Sequence, residues 1–197
     1  MELSEFQRKV IEKFNESDRN LLISAPTGSG KSFLAMLMAT MTKYRVLYTV
    51  PLRALALQLN EDYKNKITPI VKAFPDSTAL VSEVYESDPE DLDERVVFTT
   101  YEKADAVLRR HYTWAERSKV MIIDEIHNVG DKERGQAIEN LIAWAMAENK
   151  RLIMMSATVP QIEKIAKITE AEIIETKDRP IPPVSYTHLT LPTKRIV

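Results

Sequence analysis

Short apolar runs alternate along the chain with longer stretches that have the periodicity of a helix. Strands this uniformly apolar are buried on both faces, and in alternation with helices they form parallel sheets with right-handed crossovers. The sequence therefore predicts an α/β fold: a doubly wound, mainly parallel sheet with helices on both faces. The predicted strands are NLLIS at 20–24, RVLYTV at 45–50, TALVS at 78–82, RVVFTT at 95–100, VMIID at 120–124 and RLIMMS at 151–156.

The last two predicted strands are separated by a helix with one apolar face. Helical spacing brings six apolar side chains to that face. They are Ala137, Ile138, Leu141, Ile142, Ala145 and Met146. We expect this helix to cover the sheet.

Polar, turn-forming segments follow five of the six predicted strands. In an open parallel sheet the carboxyl ends of the strands share one edge, and ligands bind there. We therefore expect one site to be built from several distant parts of the sequence. The segments are APTGSGKS, PLRA, YEKAD, EIH and ATVP.

Composition narrows the chemistry and the location. The 197 residues include no cysteine, which excludes disulfides, thiolate zinc sites and cysteine nucleophiles, so any metal should be held by oxygen atoms. The net charge of −2 does not mark a nucleic-acid-binding surface. With no apolar run near the ~20 residues that span a bilayer, and no signal peptide, we expect a cytoplasmic protein without a membrane partner.

The segment APTGSGKS matches the phosphate-binding pattern G-x-x-x-x-G-K-[ST], with alanine in place of the first glycine. Its backbone N–H groups can surround phosphate oxygens, its lysine can reach the β- and γ-phosphates of ATP, and its last hydroxyl can ligate Mg²⁺. A plain helix-entry turn is the alternative. The predicted nucleotide-binding residues are Ala25, Thr27, Gly28, Ser29, Gly30, Lys31 and Ser32.

Two adjacent carboxylates, Asp124 and Glu125, end the fifth predicted strand. Unpaired carboxylates beside a buried sheet are costly, and Mg²⁺ would supply the missing charge. Asp124 suits the metal, and Glu125 suits the activation of a water that attacks the γ-phosphate. We predict catalytic roles for Lys31, Asp124 and Glu125, with an acidic helix cap as the alternative for the carboxylates.

APTGSGKS, VPLRALA, TYEKAD, DEIH and SAT occur here in the order and spacing of helicase motifs I, Ia, Ib, II and III. The chain thus resembles the N-terminal RecA-like motor domain of superfamily 2 helicases. PLRALA, EKAD, DEIHNVGDKERG and RPIP most resemble the branch of archaeal repair helicases and of RNA helicases that assist the exosome and spliceosome. The resemblance implies that Mg-ATP hydrolysis drives movement on single-stranded or forked DNA or RNA.

The resemblance also implies further site residues. Gln7 would contact adenine, although an exposed helical glutamine is the alternative. His127, Ser156 and Thr158 would couple the nucleotide to the strand-binding surface, although a structural histidine is equally compatible. Residues that would face the strand backbone, or would simply be surface residues, are Pro51, Arg53, Thr100, Glu102 and Lys103.

The resemblance has limits at two places. The G-D pair that relatives carry after the third strand is replaced by VSEVYESDPED, so the strand contacts of that loop are in doubt. We expect a motor domain at 1–183, with no second RecA-like domain after RPIP, although the activity would require one from the same native chain. Residues 184–197 resemble a recurrent artefact of translated assemblies and are expected to be non-native, with a genuine terminal strand and turn as the alternative.

Two other classes remain compatible with these motifs. A P-loop ATPase or kinase that does not translocate would hydrolyse ATP without any effect of single strands. A nucleotide-binding module would bind ATP and leave Glu125 idle. The ordered set of five motifs favours the helicase.

Overall fold

A computed structural model describes residues 3–64, 81–83, 94–157 and 162–177. The described residues form one sheet in which all neighbouring strands are parallel. Its strands are β1 (Leu21–Ser24), β2 (Val46–Val50), β3 (Val81–Glu83), β4 (Val96–Thr100), β5 (Val120–Ile123), β6 (Arg151–Ser156) and β7 (Glu172–Glu175). They lie in the order β3-β4-β2-β5-β6-β1-β7. The predicted parallel sheet is confirmed.

Helices cover both faces of the sheet. They are α1 (Glu5–Glu16), α2 (Lys31–Met41), α3 (Arg53–Asp62), α4 (Tyr101–Arg109), α5 (Thr113–Glu116), α6 (Gly135–Ala147) and α7 (Ile162–Thr169), with a short 3₁₀ helix at Ile126–Gly130. Alternate strand residues enter two separate cores: Leu21 and Ile23 pack with α1, α2 and α3, while Leu22 packs with α4 to α7. This two-sided burial explains why the strands are apolar throughout, and it confirms the doubly wound architecture.

The predicted sheet-covering helix is α6. It buries Ala137, Ile138, Leu141, Ile142 and Ala145, and Met146 packs half-buried against the same core. Each of the six predicted strands contains a strand of the structure, although 78–80 of the third run lie outside the described residues.

The edge strand β7 is a part of the sheet that the sequence did not predict. It pairs with β1, and of its four residues only Ile174 is buried. A short strand with glutamates at both ends and one buried side chain has no uniform apolar run. Its pattern therefore resembles a loop.

The parallel arrangement puts all strand carboxyl ends at one edge. Along that edge the order is β4, β2, β5, β6, β1. The segments predicted to bind a nucleic-acid strand follow β4 and β2, and the phosphate loop follows β1. Neighbouring strands are about 4.8 Å apart, so the two regions are separated by roughly 15–20 Å, with the ends of β5 and β6 between them.

Candidate nucleotide site and nucleic-acid interface

The phosphate loop joins the end of β1 to the start of α2. Gly28 and Gly30 have φ of 86° and 82°, the left-handed region that glycine adopts without strain. A Cβ on Gly30 would lie 2.6 Å from Gln7 Nε2, whereas one on Gly28 would meet nothing within 4 Å. The backbone conformation therefore favours glycine at both positions, whereas the contact at Gly30 involves the end of a flexible side chain that can shift aside.

Ala25, which replaces the first glycine of the pattern, does not disturb this loop. It is absent from the residues with positive φ, and its methyl group is fully buried. Its backbone N–H donates to the Ser156 carbonyl at 3.1 Å, which ties the loop to the end of β6. Alanine therefore fits at this position because the backbone there needs no glycine.

Lys31 is the first residue of α2, and its ammonium group is turned back toward the loop. Its Nζ donates to the carbonyls of Ala25 at 2.6 Å and Pro26 at 3.1 Å. Burial lowers the pKa of Lys31, while the negative charges of Glu125 and Asp124 act in the opposite direction. A cation is therefore held between the loop and the two carboxylates.

The rest of the loop is suited to an anionic ligand. Thr27 and Gly28 are exposed, and Ser32 is half-buried in the first turn of α2. Ser29 Oγ is buried and has no hydrogen-bond partner among the described residues. Unpaired polar groups next to a helix N-terminus and a lysine are the chemistry that binds phosphate.

Gln7 lies against the phosphate loop and holds two parts of the structure together. It forms a capping box with Ser4 at the start of α1, in which Gln7 Oε1 accepts from Ser4 N at 3.0 Å. Its Nε2 donates to the Ser29 carbonyl at 3.3 Å. The structure brings Gln7 to the predicted site, and its contact with adenine stays a prediction.

Asp124 follows β5 and is almost completely buried, at 3 % exposure. Its Oδ1 accepts from the Glu125 N–H at 2.9 Å, and Tyr48 OH donates to its Oδ2 over 3.5 Å. Burial, with the negative charge of Glu125 beside it, raises its pKa to about 6, although Lys31 opposes this change. Such a buried carboxyl group gains from a cation, as the prediction of a metal ligand requires.

Glu125 adopts a left-handed conformation with φ of 48°, which costs a non-glycine residue roughly 1–2 kcal/mol. Its Oε2 is buried and lies 3.2 Å from His127 Nδ1, but without the alignment of a hydrogen bond. The surrounding contacts must hold this strained residue in place.

His127 connects Glu125 to the end of β6. Its Nδ1 lies 3.4 Å from Ser156 Oγ, so one ring nitrogen faces both the carboxylate and the hydroxyl. The structure therefore assembles two of the three predicted coupling residues. The third, Thr158, lies outside the described residues.

Two buried tyrosines at this site were not predicted. Tyr48 contacts the Asp124 carboxylate, and Tyr101 OH donates to the Asp124 backbone carbonyl. Burial raises the pKa of each phenol above its ordinary value, so both remain protonated donors at neutral pH. The available signal was a tyrosine inside TYEKAD, directly after a strand.

The two segments predicted to bind a nucleic-acid strand lie side by side, because the β-strands that they follow, β2 and β4, pair directly. Pro51 is half-buried, and Arg53 is exposed at the start of α3. Thr100 caps α4, its Oγ1 accepting from Lys103 N at 3.3 Å. Glu102 is exposed and lies 4.0 Å from Arg134 Nε. The five residues therefore lie at one end of the carboxyl edge.

A cavity of about 670 Å³ lies at the opposite edge of the sheet. It is lined by residues at the amino-terminal ends of the strands, among them Asn20, Lys119 and Arg151. Arg151 there donates to the carbonyls of Phe14 and Ser17. None of its lining residues belongs to the phosphate loop or to the paired carboxylates, so the cavity is not part of the predicted nucleotide site.

Neither a protein-only metal centre nor a membrane span was found in the part of the chain described. No three His, Cys, Asp or Glu side chains of these residues are grouped to hold a metal ion. No helix in the same ranges combines the length and the apolar character needed to cross a membrane.

Replacing Asp124 by asparagine should stabilise the protein in the absence of nucleotide and Mg²⁺. A carboxyl group whose pKa rises from 3.8 to about 6 on folding binds more protons in the folded state. Stability is then lost as pH rises through this window, by about 3 kcal/mol at neutral pH. Urea denaturation should therefore show Asp124→Asn more stable than the wild type at pH 7.5, with the difference vanishing near pH 4.

Asp131→Asn is the matched control, because the pKa of Asp131 is shifted in the opposite direction to that of Asp124. Hydrogen bonds from the backbone of Arg134 and Glu133 lower the pKa of Asp131. Its ionised form favours the folded state, so this variant should lose stability at neutral pH and not at low pH. If Asp124→Asn is no more stable than the wild type at pH 7.5, burial does not destabilise the Asp124 carboxylate.

The model of the DEAD/DEAH box helicase family matches residues 4–165. The chain is 66 % identical to a viral protein assigned as a helicase, helicase 7 of Sulfolobus islandicus filamentous virus, over 92 % of this chain and 30 % of the relative. It is also 33 % identical to the ATP-dependent DNA helicase Hel308 of Thermoplasma volcanium, over 92 % of this chain and 27 % of that protein.

A second archaeal relative extends the similarity. The ATP-dependent DNA helicase Hel308 of Aeropyrum pernix is 33 % identical over 93 % of this chain and 25 % of that protein. The chain therefore spans less than a third of the length of these three curated relatives.

Proposed function

The chain belongs to the DEAD/DEAH box helicase family, and we propose that it is the ATP-binding motor domain of an ATP-dependent nucleic-acid helicase. One observation carries the proposal. Lys31, Asp124 and Glu125 converge beside a glycine loop at the carboxyl edge, the same edge that carries the segments following β2 and β4. The nucleotide and the strand would thus bind along one edge.

The nucleotide would be held by the loop from Ala25 to Ser32. Its backbone N–H groups would face the phosphates, and Lys31 would exchange its carbonyl partners for phosphate oxygens. Gln7 lies next to Ser29 and would contact adenine at the outer side of the loop. ATP use is a property of the family.

Ser32 and Asp124 are the proposed ligands of Mg²⁺. Oxygen ligands from one or two side chains suit this ion, which keeps several waters and binds substrate phosphates. When bound, Mg²⁺ would neutralise charge on the phosphate oxygens. The raised pKa of Asp124 supports its role, because a buried carboxylate without a cation is unfavourable.

Glu125 is the proposed general base. Its backbone is strained, and its Oε2 is buried without an aligned hydrogen-bond donor. It could accept a proton from the water that attacks the γ-phosphate. The positive charge of Lys31 would stabilise the negative charge on the β- and γ-phosphates.

Strand binding would be coupled to the nucleotide through His127 and Ser156, with Thr158 completing the set. His127 links Glu125 to the end of β6, and Ser156 in turn is bonded to Ala25 of the phosphate loop through its carbonyl. A change at the γ-phosphate would therefore reach the ends of both β6 and β1.

The strand itself would lie over Pro51, Arg53, Thr100, Glu102 and Lys103. Backbone and side-chain groups at helix starts suit contacts with sugar and phosphate, which carry no sequence information. A single-stranded or forked DNA or RNA is the proposed partner. Two of the similar proteins, those of Thermoplasma volcanium and Aeropyrum pernix, are named as ATP-dependent DNA helicases.

A second RecA-like domain of the native chain is the other proposed partner. The relatives are more than three times as long as the matched segment. In comparable phosphoryl-transfer enzymes, an arginine supplied from outside the phosphate-binding domain contributes about 10³ to 10⁵ in rate. The phosphate loop and the paired carboxylates would form one wall of such a cleft.

The test compares the 197-residue chain with a longer protein that includes its native downstream region, using a forked duplex, ATP and Mg²⁺. We expect the chain alone to bind ATP weakly, to hydrolyse it barely and to unwind nothing, and the longer protein to unwind the fork. Robust unwinding by the chain alone would contradict the division into two motor domains. Hydrolysis by the longer protein without unwinding or strand dependence would favour a non-translocating ATPase.

A further inference from the structure

Tyr101 lies between two predicted strand-binding residues, Thr100 and Glu102, and reaches the backbone of Asp124. It is the first residue of α4, directly after Thr100 and before Glu102, and it is fully buried. Its hydroxyl group donates a hydrogen bond to the backbone carbonyl of Asp124. One side chain thus connects the start of α4 to the end of β5.

The bond from Tyr101 holds one side of a single peptide group. This peptide group joins Asp124 to Glu125, and its carbonyl accepts from Tyr101 while its N–H donates to Asp124 Oδ1 at 2.9 Å. A peptide group is planar, so fixing both polar groups fixes the plane. The plane fixes one side of the φ torsion of Glu125, which is in the left-handed region.

A neighbouring asparagine strengthens the same arrangement. Asn128 Nδ2 donates to the Glu125 carbonyl at 3.0 Å, and the Asn128 side chain also hydrogen-bonds to Tyr101. Both peptide groups that flank the Glu125 Cα are therefore held by side chains that touch each other. Nothing in this arrangement depends on His127 or Ser156, so it is a separate connection.

Helix α4 is attached to the rest of the domain at its other turns. Asp105, in the second turn of α4, accepts from Asn140 Nδ2 of α6 at 3.3 Å. A strand bound at the first turn of α4 would act on a helix that is fixed further along. Movement of the first turn would be transmitted to Tyr101.

We propose that Tyr101 is a positioning residue through which a strand bound at Thr100, Glu102 and Lys103 orients Glu125 for hydrolysis. This proposal rests on the proposed helicase function. The tyrosine does not touch the nucleotide or the strand, and it acts by holding the peptide group between Asp124 and Glu125.

The test uses Tyr101→Phe in the longer protein, because this change removes the hydroxyl group and keeps the buried ring. ATP turnover is measured against the concentration of a single-stranded oligonucleotide, as DNA and as RNA, and strand affinity is measured by fluorescence anisotropy. Because misorientation of a catalytic group is costly, turnover at saturating strand should fall about 10-fold. Strand affinity and the KM for ATP should stay within about twofold, which a general structural defect would not allow.

Tyr112→Phe is the matched control. Tyr112 is half-buried against the same core, and it takes no part in the hydrogen bonds described above for Asp124 and Glu125. It should leave turnover, strand affinity and thermal unfolding unchanged.

Three results would overturn the proposal. Turnover of Tyr101→Phe equal to that of the wild type would show that the bond does not matter. A parallel loss of strand affinity and turnover would indicate a direct or structural role. A wild type that shows no strand stimulation would contradict the helicase function itself, and the positioning role with it.

Discussion

Lys31→Ala should raise the Kd for Mg-ATP about 10- to 100-fold, because a charge-assisted hydrogen bond contributes roughly 1.5–3 kcal/mol. The ammonium group now bonds to the carbonyls of Ala25 and Pro26, within the field of Asp124 and Glu125. A phosphate of the bound nucleotide would replace these carbonyls and would be stabilised by the positive charge of the ammonium group. Titration calorimetry with a non-hydrolysable ATP analogue measures the change.

Lys119→Ala is the control for this substitution. Lys119 is exposed and lies at the opposite edge of the sheet, where it lines the cavity at the amino-terminal ends of the strands. Its loss changes the net charge by the same amount and should leave the affinity for ATP unchanged. Unaltered affinity in Lys31→Ala would refute the assignment of the phosphate loop.

Glu125→Gln should slow hydrolysis by about 10² to 10⁴, the usual contribution of a general base. The amide has the size of the carboxylate and cannot accept the proton, so binding of ATP and Mg²⁺ should persist. Glu125 contributes no assigned metal ligand, and its backbone conformation is held by Tyr101 and Asn128 through their bonds to flanking carbonyls. Single-turnover hydrolysis in the longer protein separates the chemical step from product release.

Glu133→Gln is the matched control for Glu125→Gln. Glu133 is exposed in the turn before α6, where its backbone N–H donates to Asp131 Oδ1 at 2.8 Å. Removing its carboxylate should not affect the rate. Wild-type hydrolysis by Glu125→Gln would mean that another group activates the water, and the role assigned to the carboxylate pair would have to be changed.

The sequence predicted the fold well because the relevant energy is spread over many residues. Each internal strand is apolar on both faces, and each is followed by polar residues, so the parallel sheet and its functional edge follow from one pattern. The edge strand β7 escaped prediction because only Ile174 is buried there. A pattern needs several buried residues before it can be recognised.

The phosphate loop and the paired carboxylates were predicted because their chemistry is local. Glycines, lysine and hydroxyl occur within eight residues, and Asp124 and Glu125 are adjacent. Contacts across the sheet were not accessible in this way. Tyr101 and Asp124 are 23 residues apart, and their meeting depends on β4, β2 and β5 lying in that order.

The strained conformation of Glu125 also could not be predicted. A glutamate favours the right-handed region, so φ of 48° arises from the surrounding bonds and not from the residue itself. Local preference and tertiary contacts conflict at this position, which is typical of a functional site. The DEIH sequence indicated which side chains matter, but not how the backbone presents them.

ATP turnover by the longer protein, measured with and without a single strand, tests the central claim most directly. The helicase motor predicts turnover that rises with strand concentration and then saturates. It also predicts that the half-maximal strand concentration increases steeply with salt, because the proposed contacts are to phosphates. Turnover that is the same with DNA, with RNA and with no strand would contradict it.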